Sequence, residues 1–470
     1  MDLDKARTIH FVGIGGCGMS AIAKILCEMG KLVQGSDSKE SSNTIRLKDL
    51  GIKIFIGHDA SNVRGADAVL YSSAVPAGNV ELLAAASSRI PIAQRADALS
   101  WILDQFPERI TVAGTHGKTT TTSMISTMLS RCEMNPTYII GAEADTVDGN
   151  AKLGNGRVVV AEADESDGTF LKFHPTISVI TNIEPDHMEY YGTVENLMGT
   201  FARFAVMLSK GGLLVINSDN PNNRTLLDSH LSGLDCIRYG LGPDAEVRAL
   251  DIKHDRGNSS FEVHLKGRSL GEISLSVPGL QNVANSLAAV AIGLKLGLQF
   301  ESIRDGLRYF RGVKRRFQTI GIAQDIMIVD DYAHHPTEVA ATLKAARLGW
   351  GREKRIICVF QPHRYSRTMF LHKEFGAAFS DADIAVITDI YSAGEQPIEG
   401  ISGSLVADAV RGGSSAEVHY IAKKEKIIDY LLGIARPGDM MITAGAGDIH
   451  TVGKEIYARL KDGESQKGKK

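Results

Sequence analysis

Residues 110–122 read as an apolar, β-branched run, then Gly114-Thr115-His116-Gly117, then Lys118 and four threonines. That order constrains the fold more than any other stretch. It requires a buried strand, a tight glycine turn and a helix whose first turn points backbone N–H groups and a lysine at an anion. The loop Gly114, Thr115, His116, Gly117, Lys118, Thr119 and Thr120 is therefore read as a nucleotide-phosphate site. Lys118 reaches terminal phosphates, and the Thr119 hydroxyl faces Mg²⁺. The spacing is short of the usual pattern, because Val112 stands where a first glycine is expected. A bare glycine turn before a helix is the alternative.

The chain has 470 residues, enough for two to four domains. Its formal net charge of −3 gives no sign of a nucleic-acid or membrane surface. The five cysteines, Cys17, Cys27, Cys132, Cys236 and Cys358, are scattered without a CxxC pair. That suits a reducing cytoplasm and argues against a disulfide framework or zinc site. A strand by Ile9 leaves no room for a signal peptide, and no apolar run is long enough to cross a membrane. The charged tail, residues 461–470, is expected to fray and is assigned no function.

Three α/β blocks follow one another, at residues 1–107, 108–313 and 314–470. In the first, strands at 9–12, 31–34, 53–56, 68–71 and 91–93 alternate with helical segments, implying a parallel Rossmann-like sheet. Gly30 is expected to cap the first helix. In the second, strands at 110–113, 158–161, 177–181 and 213–217 give a mainly parallel P-loop sheet. Strict alternation at 261–266, a turn at 267–268 and a run at 270–277 add an antiparallel piece. Helices are expected at 282–296 and 302–309. In the third, strands at 326–329, 355–360, 384–388, 418–421 and 439–443 give a second Rossmann-like unit.

Chemistry gathers at the predicted strand ends. Residues 13–18 form GxGxxG, with Asp37 where a ribose-binding acid sits. On its own this fits NAD or FAD, another diphosphate ligand, or a purely structural turn. The hydroxyls of Ser72 and Ser73 end a later strand at the same edge. Glu162, Asp164, Glu165 and Asp167 place four carboxylates within six residues, a density that calls for a cation or strong hydrogen bonding, with a solvated acidic loop as the alternative. Glu162 ends its strand and is the best single metal candidate. His187, beside Asp186, ends the next strand and is a second metal candidate or a hydrogen-bonded loop residue. Residues 330–336 and 361–367 present acids, histidines, two tyrosines and two arginines suited to a carboxylate or phosphate, with a polar rim of helix N-caps as the alternative. Gly445-Ala446-Gly447-Asp448 closes another strand at that edge. Arg315 and Arg316 are either solvated or reach phosphate.

Residues 10–19, 114–122, 162–167, 181–188, 315–317, 330–336 and 362–364 together resemble the Mur ligase family of amide-forming peptidoglycan enzymes. They lie in order across nearly the whole chain. The resemblance implies three domains, for a UDP-sugar, ATP and an incoming amino acid. It implies that Gly15, Gly16, Gly18, Asp37, His58 and Ser72 touch UDP-N-acetylmuramate. Gly114, Thr115, His116, Gly117, Lys118, Thr119, Thr120, Asn282, Asn285, Arg316 and Asp331 would serve ATP. Thr119, Glu162 and His187 would hold Mg²⁺ or Mn²⁺. Tyr332, His334, His363, Arg364 and Arg367 would surround L-alanine and the muramoyl carboxylate. Lys118, Glu162, His187 and His334 are the implied catalytic groups, with His334 as candidate base.

Two departures stand out. Gln281 replaces the histidine that family members commonly carry before the asparagine at 282. Residues 194–208 contain no lysine where several relatives place a carbamylated one, which resembles the alanine-adding branch. The expected partners are UDP-N-acetylmuramate and L-alanine, for a monomer or homodimer with no nucleic acid. The alternatives are a recycling ligase that attaches a preformed peptide, a nicotinamide oxidoreductase with an ATPase domain, and a non-catalytic nucleotide-gated binding module.

Overall fold

The computed structural model describes residues 3–72, 74–144, 149–231 and 233–467. Among the described residues the chain is α/β with three sheets. The first is wholly parallel: β1 (Thr8–Val12), β2 (Leu32–Asp37), β3 (Lys53–Ile56), β4 (Ala68–Tyr71) and β5 (Ile92–Gln94), in the order β3-β2-β1-β4-β5. The order reverses between β1 and β4, and the crevice beyond such a switch point is where open α/β sheets bind ligands. Val12 is in register with Tyr71, so the glycine loop after β1 and Ser72 after β4 share that crevice. Ser73 lies outside the described residues.

Gly30 ends the first helix as expected, at φ +88°, with Lys31 N–H returning to Leu26 C=O. The second strand runs three residues past its predicted end. Gly35 acts there as a spacer and not as a breaker: a Cβ would stand 2.7 Å from Phe11 C=O and 2.9 Å from Ile14 Cβ.

Beneath this sheet Glu81 is fully buried and accepts hydrogen bonds from Asn62 Nδ2 (2.6 Å), Asp59 N–H (3.2 Å) and the Ser36 hydroxyl. His10 Nε2 pairs with it at 3.3 Å. Burial alone would raise the Glu81 carboxyl, but His10, Ser36 and Asn62 outweigh it and hold it at about 2.

The second sheet has ten strands. They are β6 (Glu108–Ala113), β7 (Thr137–Ala144), β8 (Gly149–Lys152), β9 (Val158–Glu162), β10 (Ile177–Ile180), β11 (Leu213–Asn217), β12 (Cys236–Gly240), β13 (Val247–Asp255), β14 (Asn258–Leu265) and β15 (Arg268–Leu275). The order is β15-β14-β13-β12-β11-β10-β6-β9-β7-β8. β6 lies between β9 and β10, parallel to both, so the chain segments leaving these three strands emerge side by side.

The turns β13–β14 and β14–β15 have positive φ at both central residues, Arg256-Gly257 and Lys266-Gly267. Two-residue turns of that kind join antiparallel strands. The predicted alternation holds, with Phe261 and Val263 buried. Sequence pattern missed the β7–β8 hairpin, β12 and β13.

The third sheet runs β16-β17-β21-β18-β19-β20, from β16 (Gln318–Ala323), β17 (Ile326–Asp331), β18 (Ile356–Phe360), β19 (Ile384–Ile387), β20 (Glu417–Tyr420) and β21 (Met440–Ala444). β16 is antiparallel to β17 and was not foreseen; the remaining pairs are parallel. The tail is also corrected. The last helix spans His450–Lys467, anchored by buried Val452, Ile456 and Leu460, so the expected fraying does not begin at residue 461.

The chain divides into two compact units. One comprises Met1–Arg248, His264–Leu270 and Asn285–Tyr309; the other comprises Ala249–Val263, Gly271–Ala284 and Phe310–Lys470.

The Glu81 network sets a pH test. A carboxyl held below its ordinary 4.5 contributes stability above that pH and loses it as the pH falls toward 2. In a Trp350→Phe background, Trp101 fluorescence reports on the first sheet. Glu81→Gln is expected to cost roughly 3 kcal/mol at pH 7 by urea unfolding. The gap between the two proteins should close as the pH falls from 4.5 toward 2.

Candidate active site

Within the first unit, three strand ends build one site. After β6 the chain turns through Gly114 (φ +133°) and Gly117 (φ +82°) into the helix Lys118–Arg131. A Cβ on Gly114 would overlap Thr181 Oγ1, so only glycine lets the loop lie against the end of β10. The loop is then pinned from that side. Thr181 Oγ1 donates to His116 C=O (2.6 Å), His116 N–H donates to Asn182 Oδ1 (2.8 Å), and Thr115 N–H donates to Asn182 C=O (3.0 Å). With those amides engaged, the N–H groups that open the helix remain as its anion-facing set. Asn285 overhangs the turn, since a methyl on Gly117 would stand 3.0 Å from Asn285 Oδ1.

Lys118 is largely buried. Its ammonium donates to Gly114 C=O (2.6 Å), Thr115 C=O (3.2 Å) and both oxygens of Glu165 (2.7 and 3.0 Å). Burial alone would depress Lys118, but the carboxylates of Glu165 and Asp164 outweigh it and hold its pKa above the ordinary lysine value. Glu165 is itself buried, and its C=O accepts the Tyr191 hydroxyl. Sequence reading included Glu165 in an acidic run without giving it this role.

Glu162, at the end of β9, accepts from Thr119 Oγ1 (3.2 Å) and from Gly141 N–H. Burial pushes its carboxyl pKa up. A half-buried carboxylate accepting from a hydroxyl beside a phosphate loop offers hard oxygen donors, which is what Mg²⁺ takes together with substrate phosphates. Thr119 and Glu162 therefore fit that ion.

His187 sits at φ +54°, heading the helix Met188–Tyr191. Nε2 lies 3.8 Å from Asp186 and Nδ1 lies 3.6 Å from Glu189. It does not join Glu162 in a cluster of three or more His, Cys, Asp or Glu ligands among the described residues.

The first sheet's crevice is more self-satisfied than its motif suggests. Gly13 and Ile14 N–H both donate to Ser36 C=O, and Gly15 N–H donates to Asp37 Oδ2 (2.8 Å). Asp37, predicted as a ribose ligand, thus braces the glycine loop with one oxygen. Gly16 N–H turns back to Gly13 C=O, at 3.4 Å. The phosphate-facing amides narrow to those opening the helix Cys17–Glu28, which includes Gly18. His58 Nδ1 lies 3.1 Å from Ser36 Oγ and 3.4 Å from Glu81, and Ser72 Oγ accepts from Ala74 N–H (3.3 Å).

Within the second unit, Asn282 Nδ2 donates to Pro278 C=O (2.7 Å) in the helix Leu280–Lys295, where Gln281 folds against Gly279. β17 and β18 flank β21, which brings residues 332–335, 361–367 and 445–448 to one edge. Tyr332, His334, His363 and Tyr391 form a ring-to-ring series at centroid spacings of 5.4, 5.8 and 5.7 Å. Tyr391 was not foreseen. Arg367 NH1 lies 3.1 Å from His363 Nδ1. Arg364 is held at φ +69°, with its N–H bonded to Tyr391 C=O.

His334 Nδ1 lies 2.9 Å from Tyr332 C=O and 3.2 Å from Glu338. Two acceptors on that side favour the tautomer with its proton on Nδ1. Glu338 also lies 3.5 Å from Arg316 NH1. Its signal was available, as the third residue of a capping box after His335. Arg315 and Arg316 stack over Tyr332, at 4.9 and 5.1 Å. Asp331 is buried and accepts from Phe317 N–H, Ala333 N–H and Thr342 Oγ1. Burial pushes its pKa to about 6. These contacts make it a bracket that holds the Arg316 loop.

Models of the Mur ligase family, catalytic domain, of the Mur ligase middle domain and of the Mur ligase, glutamate ligase domain match residues 8–107, 112–293 and 315–447. The UDP-N-acetylmuramate–L-alanine ligase of Pelotomaculum thermopropionicum is 47% identical, covering 98% of this chain and 99% of the relative. The solved UDP-N-acetylmuramate–alanine ligase of Thermotoga maritima superposes with a TM-score of 0.81 at 31% identity, over 97% of this chain and 99% of that one. A murein peptide ligase of Psychrobacter arcticus shares the fold, with a TM-score of 0.69 at 23% identity over 97% of this chain and 99% of that one. The chain belongs to the Mur ligase family.

Proposed function

We propose that this protein joins L-alanine to the carboxylate of UDP-N-acetylmuramate, using ATP and releasing ADP and phosphate. The observation that carries the reading is the convergence after β6, β9 and β10 of a phosphate loop, a buried lysine and a carboxylate–hydroxyl pair. The alanine-ligase relatives match the chain end to end. The peptide-recycling alternative is not favoured, because its structural match is the weaker one.

A carboxylate resists attack by an amine, so it must first be activated as an acyl phosphate. Lys118 and the helix amides neutralise charge on the transferring phosphoryl group. Thr119 and Glu162, together with His187 beyond the end of β10, would hold Mg²⁺, whose charge further offsets that of the phosphates. The alanine ammonium must lose a proton before it attacks, and His334 Nε2 is the candidate acceptor. Tyr332, His363, Arg364 and Arg367 supply the surroundings for the amino acid carboxylate.

Residues 1–107 take the UDP-sugar, 108–313 take ATP, and 314–470 take the amino acid. The expected setting is the cytoplasm, where both nucleotides are made; no helix among the described residues is long and apolar enough to cross a membrane. The working form is a monomer or homodimer that binds no nucleic acid.

Phosphate release from ATP should require UDP-N-acetylmuramate and L-alanine together, and a tripeptide should not replace L-alanine. Lys118→Ala should lower kcat by roughly 10²–10³-fold. ATP hydrolysis that ignores both substrates would sink the ligase reading. Glu162→Gln should shift the Mg²⁺ dependence of the rate to higher concentration while leaving alanine KM unchanged. His334→Ala should slow amide formation by about 10²–10⁴-fold. It should leave hydroxamate formation from hydroxylamine nearly intact, since that nucleophile is neutral at pH 7 without a base.

A further inference from the structure

Arg95 opens the helix Arg95–Asp104 that follows the first sheet, and no motif singled it out. Two independent observations locate its guanidinium. A Cβ added to Gly18 would overlap Arg95 NH1 and lie 3.2 Å from Arg95 Cδ, so the guanidinium packs flat on the last glycine of the loop, where the helix Cys17–Glu28 begins. Arg95 NH2 also donates to Asp164 Oδ2 (3.1 Å), in the acidic run that carries Glu162 and Glu165. One cation therefore lies against the glycine loop on one side and the Lys118 environment on the other.

The pair with Asp164 is not a deep structural bond. Its two side chains are 36% and 39% exposed, and an ion pair at that exposure adds little to stability. A diphosphate at the loop would offer the same guanidinium a doubly charged, bidentate partner. The amides of the loop itself cannot meet that charge fully, because those of Gly13, Ile14 and Gly15 are spent on Ser36 and Asp37.

We propose that Arg95 binds the diphosphate of the nucleotide-sugar, exchanging Asp164 for it, and so links occupancy of the glycine loop to the carboxylates around Lys118. The inference rests on the UDP-sugar reading of that loop. Asp164 is shared between two cations, bonded by Arg95 and close enough for its charge to act on Lys118. When Arg95 turns to the diphosphate, the charge of Asp164 is left to Lys118.

The test is calorimetric binding of UDP-N-acetylmuramate and of UDP to the full-length wild type, Arg95→Ala, Arg95→Lys and Asp164→Asn. Arg95→Ala should weaken both ligands by roughly 10- to 100-fold. Arg95→Lys, which keeps the charge and folds in its place should the alanine variant not, should weaken them by a smaller factor. Asp164→Asn should bind as tightly as wild type or up to about fivefold tighter, having lost the competitor.

Equal losses in Arg95→Ala and Asp164→Asn would mean that the pair only braces the two segments, and would overturn the proposal. So would unchanged UDP affinity in Arg95→Ala. A wild type that binds ATP but not UDP-N-acetylmuramate would instead overturn the ligase reading on which the proposal rests.

Discussion

A side chain cannot be added at residue 114. The space for its first carbon is occupied by Thr181 Oγ1, and the backbone there adopts φ +133°. This close approach seats the phosphate loop on the end of β10, where Thr181 and Asn182 take up the carbonyl of His116 and the amides of Thr115 and His116. That leaves Lys118, Thr119 and the first amides of the helix to form the remaining wall of the site. Glu162 and Glu165, delivered by β9 on the other side of β6, then meet the lysine and the threonine. The site follows from one glycine that allows two strand ends to touch.

The electrostatics follow from that packing. Lys118 is ringed by its own loop carbonyls and by Glu165, so the ammonium stays charged in a mostly buried place. Transferring phosphoryl oxygens compete for a cation already positioned and already dry, which is where such a charge acts most strongly. The second unit repeats the device with other residues. Asp331 spends its oxygens on the loop that bears Arg316, and Glu338 ties His334 and Arg316 to the start of one helix.

Much of this was legible in the chain. Residues 110–122 showed strand, turn and helix in one line, and β-branched runs marked most of the parallel strands. What escaped had physical reasons. Gly35 looked like a break because glycine usually ends a strand, whereas here it makes room for Ile14. Strands β16 and β8 are edge pieces with weak burial patterns for periodicity to detect, and β7 buries only a short run, Thr137 to Ile140, ahead of β8. Asp37 was read as a ligand contact from its position and Asp331 from the family resemblance; only the folded chain shows that backbone amides engage their oxygens. Arg95 and Tyr391 act through partners that no local motif encodes, whereas Glu338 stood in a capping box that was passed over.

The central claim is that the buried lysine and its phosphate loop serve to activate a carboxylate. The most direct measurement follows an oxygen atom. With UDP-N-acetylmuramate carrying ¹⁸O in its carboxylate, turnover with ATP and L-alanine should release inorganic phosphate bearing one ¹⁸O. That label can arrive only through an acyl phosphate. Phosphate released without the label, while the amide still forms, would contradict the account.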